Sequence, residues 1–447
     1  MVKDSTAEIN KLKKELARAQ LENRELKRQT SSKRFRAAWR LADTFNALLP
    51  VNSSRRKVVI STGKTTLRIY ESYQDVRVRG YQETIINMVG DKPVIIYDSI
   101  PWKVELKQRP QHLAAHLSQA GYFIIYLERT GEKPFRVVNS SMVTIKKLAT
   151  LKNLVFKNKL YFFVSSTNAN QTIYSQVKDM FGSKMQLIYE YIDEISGDIS
   201  PMAHELQDFY DTLHIHEPAL ILASAKKLLQ DLVGDGFSKK KILLSENAVN
   251  IEDFDYTQKQ PVLPLDLARV KKDNRPIIGY YGALAPWLNA ELMNNLAHER
   301  KDLAFVYIGP DYGGGSQKFQ KYPNTHFLGP KDYQELPNYA LFFDCAIVPF
   351  QYGEIAKSTS PVKLFEYMAM GLPTVGTRDL RELEGYKYVH VSEDAANFEK
   401  NLDRAIKEKQ NSAARKTLLE QAKLNTWEQR AKDIIKFLNN DNKRSKK

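Results

Sequence analysis

Short apolar runs that end in glycine, and that alternate with helix-like segments, most limit how this 447-residue chain can fold. In residues 276–287, PIIGYYGALAPW, an apolar strand ends in a glycine turn, and a helix is predicted from Asn289 to His298. The next apolar run, Leu303–Pro310, also ends in glycine, at Gly309. Strand, glycine turn, helix and strand is the pattern of a doubly wound α/β sheet, which binds ligands at the carboxyl ends of its strands.

Residues 359–375, TSPVKLFEYMAMGLPTV, combine a polar loop, a helix with one carboxylate and a Gly-Leu-Pro turn. Ser360 and Pro361 are predicted to cap and start the helix, whose free amides would bind an anion such as a diphosphate. The Glu366 carboxylate is placed to accept hydrogen bonds from two ribose hydroxyls, and Lys363 adds a cation on the same helical face. The segment indicates a nucleotide-sugar site. An ordinary capped helix packed on a sheet is the alternative interpretation.

These segments, with FVYIGP, THFLGP and LPNYALFFDCAIVPF, resemble the donor-binding domain of group 1 glycosyltransferases of the retaining family 4 type. In the amino-terminal half, residues 109–117, RPQHLAAHL, and 121–127, GYFIIYL, resemble the acceptor domain of bacterial cell-surface polysaccharide (teichuronic-acid-type) glycosyltransferases. Residues 189–194, YEYIDE, resemble an acidic segment of the same group. The resemblance covers residues 90–440. It implies the GT-B fold, two Rossmann-like domains facing a cleft, and sugar transfer to a hydroxyl with the anomeric configuration kept.

The resemblance also implies roles for particular residues. The donor-binding set comprises Glu366 at the ribose and, around the diphosphate, Gly282, Ala283, Gly309, Ser360, Pro361, Lys363 and Arg109. Asp193 or Glu194 is expected to position or deprotonate the acceptor. Trp287 is expected either to stack on a sugar face or to serve as a core tryptophan. The expected donor is a UDP-sugar, the acceptor a glycan or a polyprenyl-linked sugar, and neither a metal nor a separate cofactor is implied.

The sequence departs from the family pattern at two places. The family often has two glutamates with seven residues between them, but Ser358 occupies the first place, which leaves Glu354 or backbone groups for the sugar hydroxyls. Many members also carry an arginine and a lysine after the glycine turn, and none follows Gly282 here. The diphosphate charge must then be met by Lys363, Lys357, Arg109 or helix amides.

The net charge of +15 is concentrated near the amino terminus, where residues 1–50 hold twelve Lys and Arg against six Asp and Glu, a surplus of six. No nucleic-acid-binding module is recognisable, so an anionic membrane surface is the expected partner of this charge. No apolar run approaches the roughly 20 residues of a membrane span. The chain is therefore predicted to be cytoplasmic, or peripheral at the inner face of the cell membrane. The single cysteine, Cys345, excludes a disulfide framework and a cysteine-rich zinc site.

The first 50 residues are predicted to be a helical extension. Residues 7–29 follow heptad spacing with Asn23 at an a position, which favours a coiled coil in a homodimer or heteromer. A solvated helix or a disordered tail is the alternative. Residues 33–49 form a basic, aromatic amphipathic pattern, typical of an interfacial anchor or of a helix that docks on the catalytic domains.

The predicted organisation continues with an acceptor-side domain, a polar connector and a donor domain whose final helix crosses back to the first domain; their ranges are 51–250, 251–275 and 276–447. Two other functions remain open for this sequence. One is a sugar-nucleotide epimerase with the same fold. The other is an inactive scaffold that recruits transferases through the coiled coil.

Overall fold

The computed structural model describes residues 77–444, apart from 105–106, 198–199 and 261. The predicted coiled coil at 7–29 and amphipathic helix at 33–49 lie outside the described residues and stay predictions. From Tyr81 onward the chain forms one compact unit. Its first described segment, residues 81–89, is helical.

The first sheet has eight strands in the order β3-β4-β2-β1-β5-β6-β7-β8, all parallel except for the β3–β4 pair. The strands are β1 (Val94–Asp98), β2 (Phe123–Leu127), β3 (Phe135–Asn139), β4 (Met142–Ile145), β5 (Leu160–Ser165), β6 (Met185–Tyr191), β7 (Leu220–Ala223) and β8 (Ile242–Leu244). The helices of this domain are α1 (Arg109–Gln119), α2 (Gln171–Phe181), α3 (Ala203–Asp211), α4 (Leu213–His216) and α5 (Lys226–Gly234). The sequence predicts strands near 94–97, 122–127, 160–164, 187–191 and 219–223, and β1, β2, β5, β6 and β7 confirm them; β3, β4 and β8 were missed.

The second sheet has six parallel strands in the order β11-β10-β9-β12-β13-β14. They are β9 (Ile277–Tyr281), β10 (Ala304–Ile308), β11 (Thr325–Phe327), β12 (Cys345–Val348), β13 (Thr374–Thr377) and β14 (Val389–Ser392). Renumbered within the domain, this order is 3-2-1-4-5-6, the Rossmann arrangement. Two Rossmann-like sheets in one chain confirm the predicted α/β class.

The helices of the second half begin in the connector. They are α6 (Ile251–Phe254), α7 (Leu265–Lys271), α8 (Ala290–Glu299), α9 (Leu336–Ala340), α10 (Glu354–Ser358), α11 (Val362–Ala369), α12 (Ala395–Lys409), α13 (Ser412–Lys423) and α14 (Trp427–Arg444). Helix α8 begins where the sequence predicts, because the Asn289 side chain accepts a hydrogen bond of 3.0 Å from the amide of Leu292. Short 3₁₀ turns lie at 148–151, 182–184, 239–241, 256–258, 315–318, 333–335 and 381–383.

The predicted polar connector, residues 251–275, is more ordered than its composition indicates. Phe254, Leu267 and Val270 are buried in the core of the second sheet. The connector therefore packs on the second domain, because burial removes these three apolar side chains from water.

The central strand β1 is buried on both faces, as expected for a parallel sheet. Val94 and Ile96 belong to one core, and Ile95 belongs to the core on the other face. The second of these cores also contains Ile434 of α14, which packs against α1. The final helix thus crosses back onto the first sheet as expected. Neither α14 nor any other helix in the described ranges is long and apolar enough to cross a bilayer.

Candidate functional site

A cavity of ≈ 460 Å³ lies between the two sheets, at the carboxyl ends of their strands. The first domain lines it after β1, β5 and β6, and the second lines it after β9 and β12. Among its lining residues are Ser99, Lys107, Arg109, Thr167, Asp193, Asn247, Tyr281, Gly282, Ala283, Trp287, Tyr333, Phe350, Ser360, Pro361, Lys363 and Glu366. In the second sheet, β9 and β12 flank the point where the strand order reverses, which is where doubly wound sheets bind ligands.

Two glycine turns lie at and behind the floor of the cavity in the second domain. Gly282 has a φ of +136° and follows β9, and Gly309 has a φ of +147° and follows β10. A Cβ on Gly309 would lie 2.0 Å from the carbonyl oxygen of Gly282, so the two turns touch backbone to backbone. Gly309 lies behind Gly282 rather than on the main cavity, and both line a recess of ≈ 20 Å³.

Helix α11 begins at the cavity, but its cap differs from the prediction. The N-cap is Pro361, and no side chain caps the helix. Ser360 does not cap, because its hydroxyl accepts a hydrogen bond of 3.0 Å from the amide of Asn247. The Asn247 side chain also donates to the Ser360 carbonyl. Ser360 therefore connects the start of α11 to the segment that follows β8.

Glu366 lies on α11 and is only 3% exposed, with its carboxyl on the cavity. The Tyr333 hydroxyl donates a hydrogen bond of 2.8 Å to its Oε1. Burial raises the pKa of Glu366 to about 7, against the hydroxyls of Tyr333 and Tyr281 and the charge of Lys363, which favour the ionised form. The carboxylate is thus held in place yet close to its protonation point at neutral pH.

Lys363 supplies the cation that the sequence lacks after Gly282. Its side chain runs beside that glycine, where a Cβ would lie 2.8 Å from the Lys363 Cε. Its ammonium lies 5.3 Å from the ring centre of Tyr280 and 5.6 Å from that of Phe350. Burial lowers its pKa to about 8. Within the described part of the chain, no carboxylate lies at ion-pair distance from Lys363, so its charge is available to a ligand.

The other groups proposed for the diphosphate and the sugar are placed differently. Lys357 and Glu354 form an exposed ion pair of 2.8 Å with each other, and neither lines the cavity. The Ser358 hydroxyl donates to the carbonyl of Glu354, at 2.9 Å, within its own helix. Lys363 is therefore the cavity cation in the second domain, and Ser358 does not replace a sugar-binding carboxylate.

Arg109 borders the cavity, but most of its donors are occupied. Its Nε donates to Glu190 at 2.7 Å, and its Nη2 donates to Ser245 at 3.1 Å. Its Nη1 donates both to the Glu246 carbonyl at 3.1 Å and to the Asn247 side chain at 3.2 Å. Four of the five guanidinium N–H groups are engaged, which makes Arg109 mainly an internal connection.

The two acidic candidates of the first domain separate. Asp193 follows β6 and lines the cavity, whereas Glu194 does not. Burial raises the pKa of Asp193 to about 6, against the charge of Arg109. Trp287 lines the cavity on the opposite side and packs 5.4 Å from Tyr312, ring centre to ring centre. Asp193 and Trp287 thus face one space from the two domains.

Sequence reasoning missed several residues of the site. Tyr333, which holds Glu366, lies in a 3₁₀ turn 33 residues away in sequence. Lys107 and Thr167 come from loops of the first domain that carry no motif. The sequence signal for Asn247 is that it lies in residues 245–250, SENAVN, which stand where the resembled family often has Pro-Asn-Gly-Val-Asp. In the described ranges, no group of three His, Cys, Asp or Glu side chains is placed to hold a metal ion.

Comparison with known proteins gives one family and a set of related folds. Residues 275–408 match the family model described as "Glycosyl transferases group 1". A curated protein of Bacillus subtilis (strain 168), provisionally named as the teichuronic acid biosynthesis glycosyltransferase TuaH, is 27% identical over 253 residues. This alignment covers 52% of the present chain and 63% of that relative's length.

Two solved structures are similar in fold. Anabaena HepE in complex with UDP-glucose has a TM-score of 0.54 and 14% identity, covering 78% of this chain and 99% of that one. The α,α-trehalose 6-phosphate synthase of Burkholderia multivorans has a TM-score of 0.56 and 12% identity, covering 79% of this chain and 100% of that one. At these identities the likeness concerns the fold alone.

Proposed function

We infer that this chain moves a sugar from a nucleotide-sugar to a hydroxyl, because it belongs to the group 1 glycosyl transferases and has a GT-B fold. The observation that carries this proposal is the pairing of Glu366 and Lys363 on helix α11, both facing the cavity beside the Gly282 turn. A carboxylate for a ribose diol and a cation for a diphosphate stand one helical turn apart.

The donor is assigned to the second domain. The amides at the start of α11, with its dipole, and the Lys363 ammonium would hold the diphosphate over Gly282 and Ala283. Glu366, oriented by Tyr333, would accept from the ribose hydroxyls. UDP is the proposed nucleotide, because HepE, which shares the fold, is described in complex with UDP and UDP-glucose.

The acceptor is assigned to the first domain. Asp193 stands across the cavity from α11, and its ionised carboxylate would accept a hydrogen bond from the acceptor hydroxyl and orient it toward the sugar. Trp287 would stack on a sugar face. We propose retention of the anomeric configuration, with the leaving phosphate taking the acceptor's proton, in line with the family resemblance.

The proposed acceptor is a glycan or a lipid-linked sugar in cell-surface polysaccharide synthesis. The name of the Bacillus subtilis relative supports this assignment. Binding at an anionic membrane surface and pairing through residues 7–29 remain proposals that rest on sequence.

Thermal-shift and calorimetric titration with UDP, GDP, dTDP and CMP tests the donor site. We expect one diphosphate, UDP, to stabilise the wild type, and Glu366→Ala to bind it at least tenfold more weakly, because the ribose diol loses its acceptor. Glu354→Ala is the matched control, since Glu354 lies twelve residues earlier, exposed and outside the cavity. Binding of none of the nucleotides would contradict the proposal and favour the scaffold alternative.

A further inference from the structure

A second cavity, of ≈ 330 Å³, lies at the amino ends of β9 and β12. It is therefore at the edge of the second sheet opposite the donor site. Strand β9 has five residues and links the two edges. At roughly 3.3 Å per residue, the two cavities are roughly 16 Å apart. A ligand in one would not touch the other.

The lining of this second cavity is strongly basic. Four cationic side chains line it, Lys271, Arg275, Lys409 and Arg415, against one carboxylate, Asp344. The Asp344 Oδ2 accepts a hydrogen bond of 2.8 Å from the amide of Ile277, and its charge still favours the charged form of Lys409. Among the described residues, no carboxylate forms an ion pair with Lys409, Arg415 or Lys271. Arg275 is ion-paired with Asp273, so the positive charge without an ion-pair partner among the described residues is that of Lys271, Lys409 and Arg415.

Two of these cations have buried nitrogen atoms without a partner. The Nζ of Lys409, the last residue of α12, is buried and makes no hydrogen bond with any described residue. The Nε of Arg415, in the first turn of α13, is also buried and makes no hydrogen bond with any described residue. The Arg415 guanidinium is held 4.3 Å from the ring centre of Tyr256. Removing charged donors from water without a partner is costly, and an anion in the cavity would offset that cost.

We propose that this cavity binds a phosphate-bearing anion of two or more charges, with Lys409 and Arg415 as its buried donors and Lys271 and Arg275 at its rim. A singly charged carboxylate would balance only one of the three cations that have no ion-pair partner among the described residues. Phosphate oxygens can accept from an ammonium and from a guanidinium fork at the same time. The site is independent of the proposed sugar transfer, because it shares no lining residue with the donor cavity.

Binding should be linked to proton uptake. Burial, followed by the neighbouring charge of Arg415, lowers the pKa of Lys409 to about 7, while Asp344 and the Cys345 thiol oppose this shift. The rim cations Lys271 and Arg275 also face the cavity and favour the neutral amine. An anion would favour the charged amine and raise its pKa. At pH 8 the amine would take up a proton on binding, whereas at pH 6 it is already charged.

Calorimetry with inorganic pyrophosphate tests the site, in a Lys363→Met background that weakens the donor cavity. We expect saturable binding, with net proton uptake at pH 8 that is measured in buffers of different ionisation enthalpy. Adding Lys409→Met should weaken binding at least tenfold and abolish the proton uptake. Adding Lys407→Met, an exposed change two residues earlier on α12, should leave both unchanged.

Arg415→Gln provides a second variant in the same background, and it should also weaken pyrophosphate binding by about tenfold. Circular dichroism spectra establish that each variant is folded, so that a loss of binding reports on the site. Absence of saturable binding in the Lys363→Met protein would overturn the proposal. Equal pyrophosphate affinity of the Lys363→Met protein with and without Lys409→Met would also overturn it.

Discussion

The amide of Asn247 donates a hydrogen bond of 3.0 Å to the hydroxyl of Ser360, the residue before the N-cap of α11. The Asn247 side chain also accepts a bond of 3.2 Å from Arg109, which is itself bound to Glu190 on β6. One asparagine therefore links the first sheet to the start of the donor-site helix. This short chain of hydrogen bonds is one of the connections between the two halves of the cavity, together with the packing of α14 on α1.

Ser360→Ala should lower the free energy of unfolding by about 1–3 kcal/mol, because the buried amide of Asn247 loses its acceptor. Urea unfolding followed by circular dichroism measures this change. Ser358→Ala is the control, since Ser358 is equally buried but its hydroxyl donates only to carbonyls of its own helix. Equal losses in the two variants would show that the Asn247–Ser360 bond does not contribute to stability.

Glu366 should make the protein less stable as the pH rises. Burial raises its pKa to about 7 in the folded protein, from about 4.5 in the unfolded chain. Between these two pH values the folded protein holds a proton that the unfolded chain has lost, so the free energy of unfolding falls as the pH rises from about 4.5 to about 7. The loss amounts to about 3 kcal/mol by pH 8. We expect Glu366→Gln to remove this part of the pH dependence and to unfold at higher urea than the wild type at pH 8.

The same unfolding series on Glu354→Gln provides the reference, because that carboxylate is exposed and paired with Lys357. The change in its free energy of unfolding between pH 5.5 and pH 8 should match that of the wild type. Glu366→Gln should also lose its affinity for UDP, so the variant gains stability and loses the ligand. A Glu366→Gln protein with an unchanged pH dependence would show that the carboxyl is not desolvated as described.

Tyr333→Phe should raise the midpoint pH below which protonation of Glu366 weakens UDP binding. The Tyr333 hydroxyl stabilises the ionised form of Glu366 through a bond of 2.8 Å. A hydrogen bond to a charged group contributes about 1.5–3 kcal/mol, so its removal should raise the midpoint by about one pH unit or more. Calorimetric UDP titrations between pH 6 and pH 9 measure the midpoint. Tyr339→Phe, whose hydroxyl bonds Asp266 instead, should leave it in place.

Local sequence pattern was sufficient for much of the architecture. Parallel strands that are buried on both faces appear in the sequence as apolar runs, as with β1, β9 and β10. The glycine turn after β9 marked the cavity floor, and the turn after β10 lies behind it. The hairpin β3–β4 was missed because Phe135–Asn139 is partly exposed and its Arg and Asn interrupt the apolar pattern. Strand β8 has only three residues, too few to show a period.

The cavity residues also separate into those with a local signal in the sequence and those set by contacts between distant residues. The structure places Glu366 and Lys363 together on the cavity, because both lie on one helix, where spacing fixes their common face. The predicted cap at Ser360 was wrong because the Ser360 hydroxyl instead accepts a hydrogen bond from a residue far away in sequence, the amide of Asn247. Arg109 was assigned to the donor, yet long-range partners occupy most of its N–H groups. Contacts between residues that are far apart in sequence leave no local signal.

Asp193→Asn should lower the rate of sugar transfer by about 100-fold or more while UDP binding stays near the wild-type value, because the residue acts on the acceptor side of the cavity. Burial raises the pKa of Asp193 to about 6, so wild-type activity should fall as the pH drops through 6. Initial rates of UDP release from UDP-sugar measure both effects. Glu194→Gln, a neighbouring carboxylate outside the cavity, should retain most of the activity. A similar loss in both variants would contradict the assignment of Asp193.

Lys363→Met should weaken binding of UDP by about 10- to 100-fold, which corresponds to the loss of a charge-assisted contact of about 1.5–3 kcal/mol. The loss should be confined to the phosphates, because the Lys363 ammonium lies beside the Gly282 turn and not at the base. Calorimetry with UDP and with uridine separates the two contributions: uridine should bind both proteins equally. Lys357→Met removes a cation six residues earlier that is paired with Glu354 outside the cavity, and it should change neither affinity. If uridine and UDP lost the same factor in Lys363→Met, the lysine would be maintaining the shape of the cavity and not the charge that receives the diphosphate.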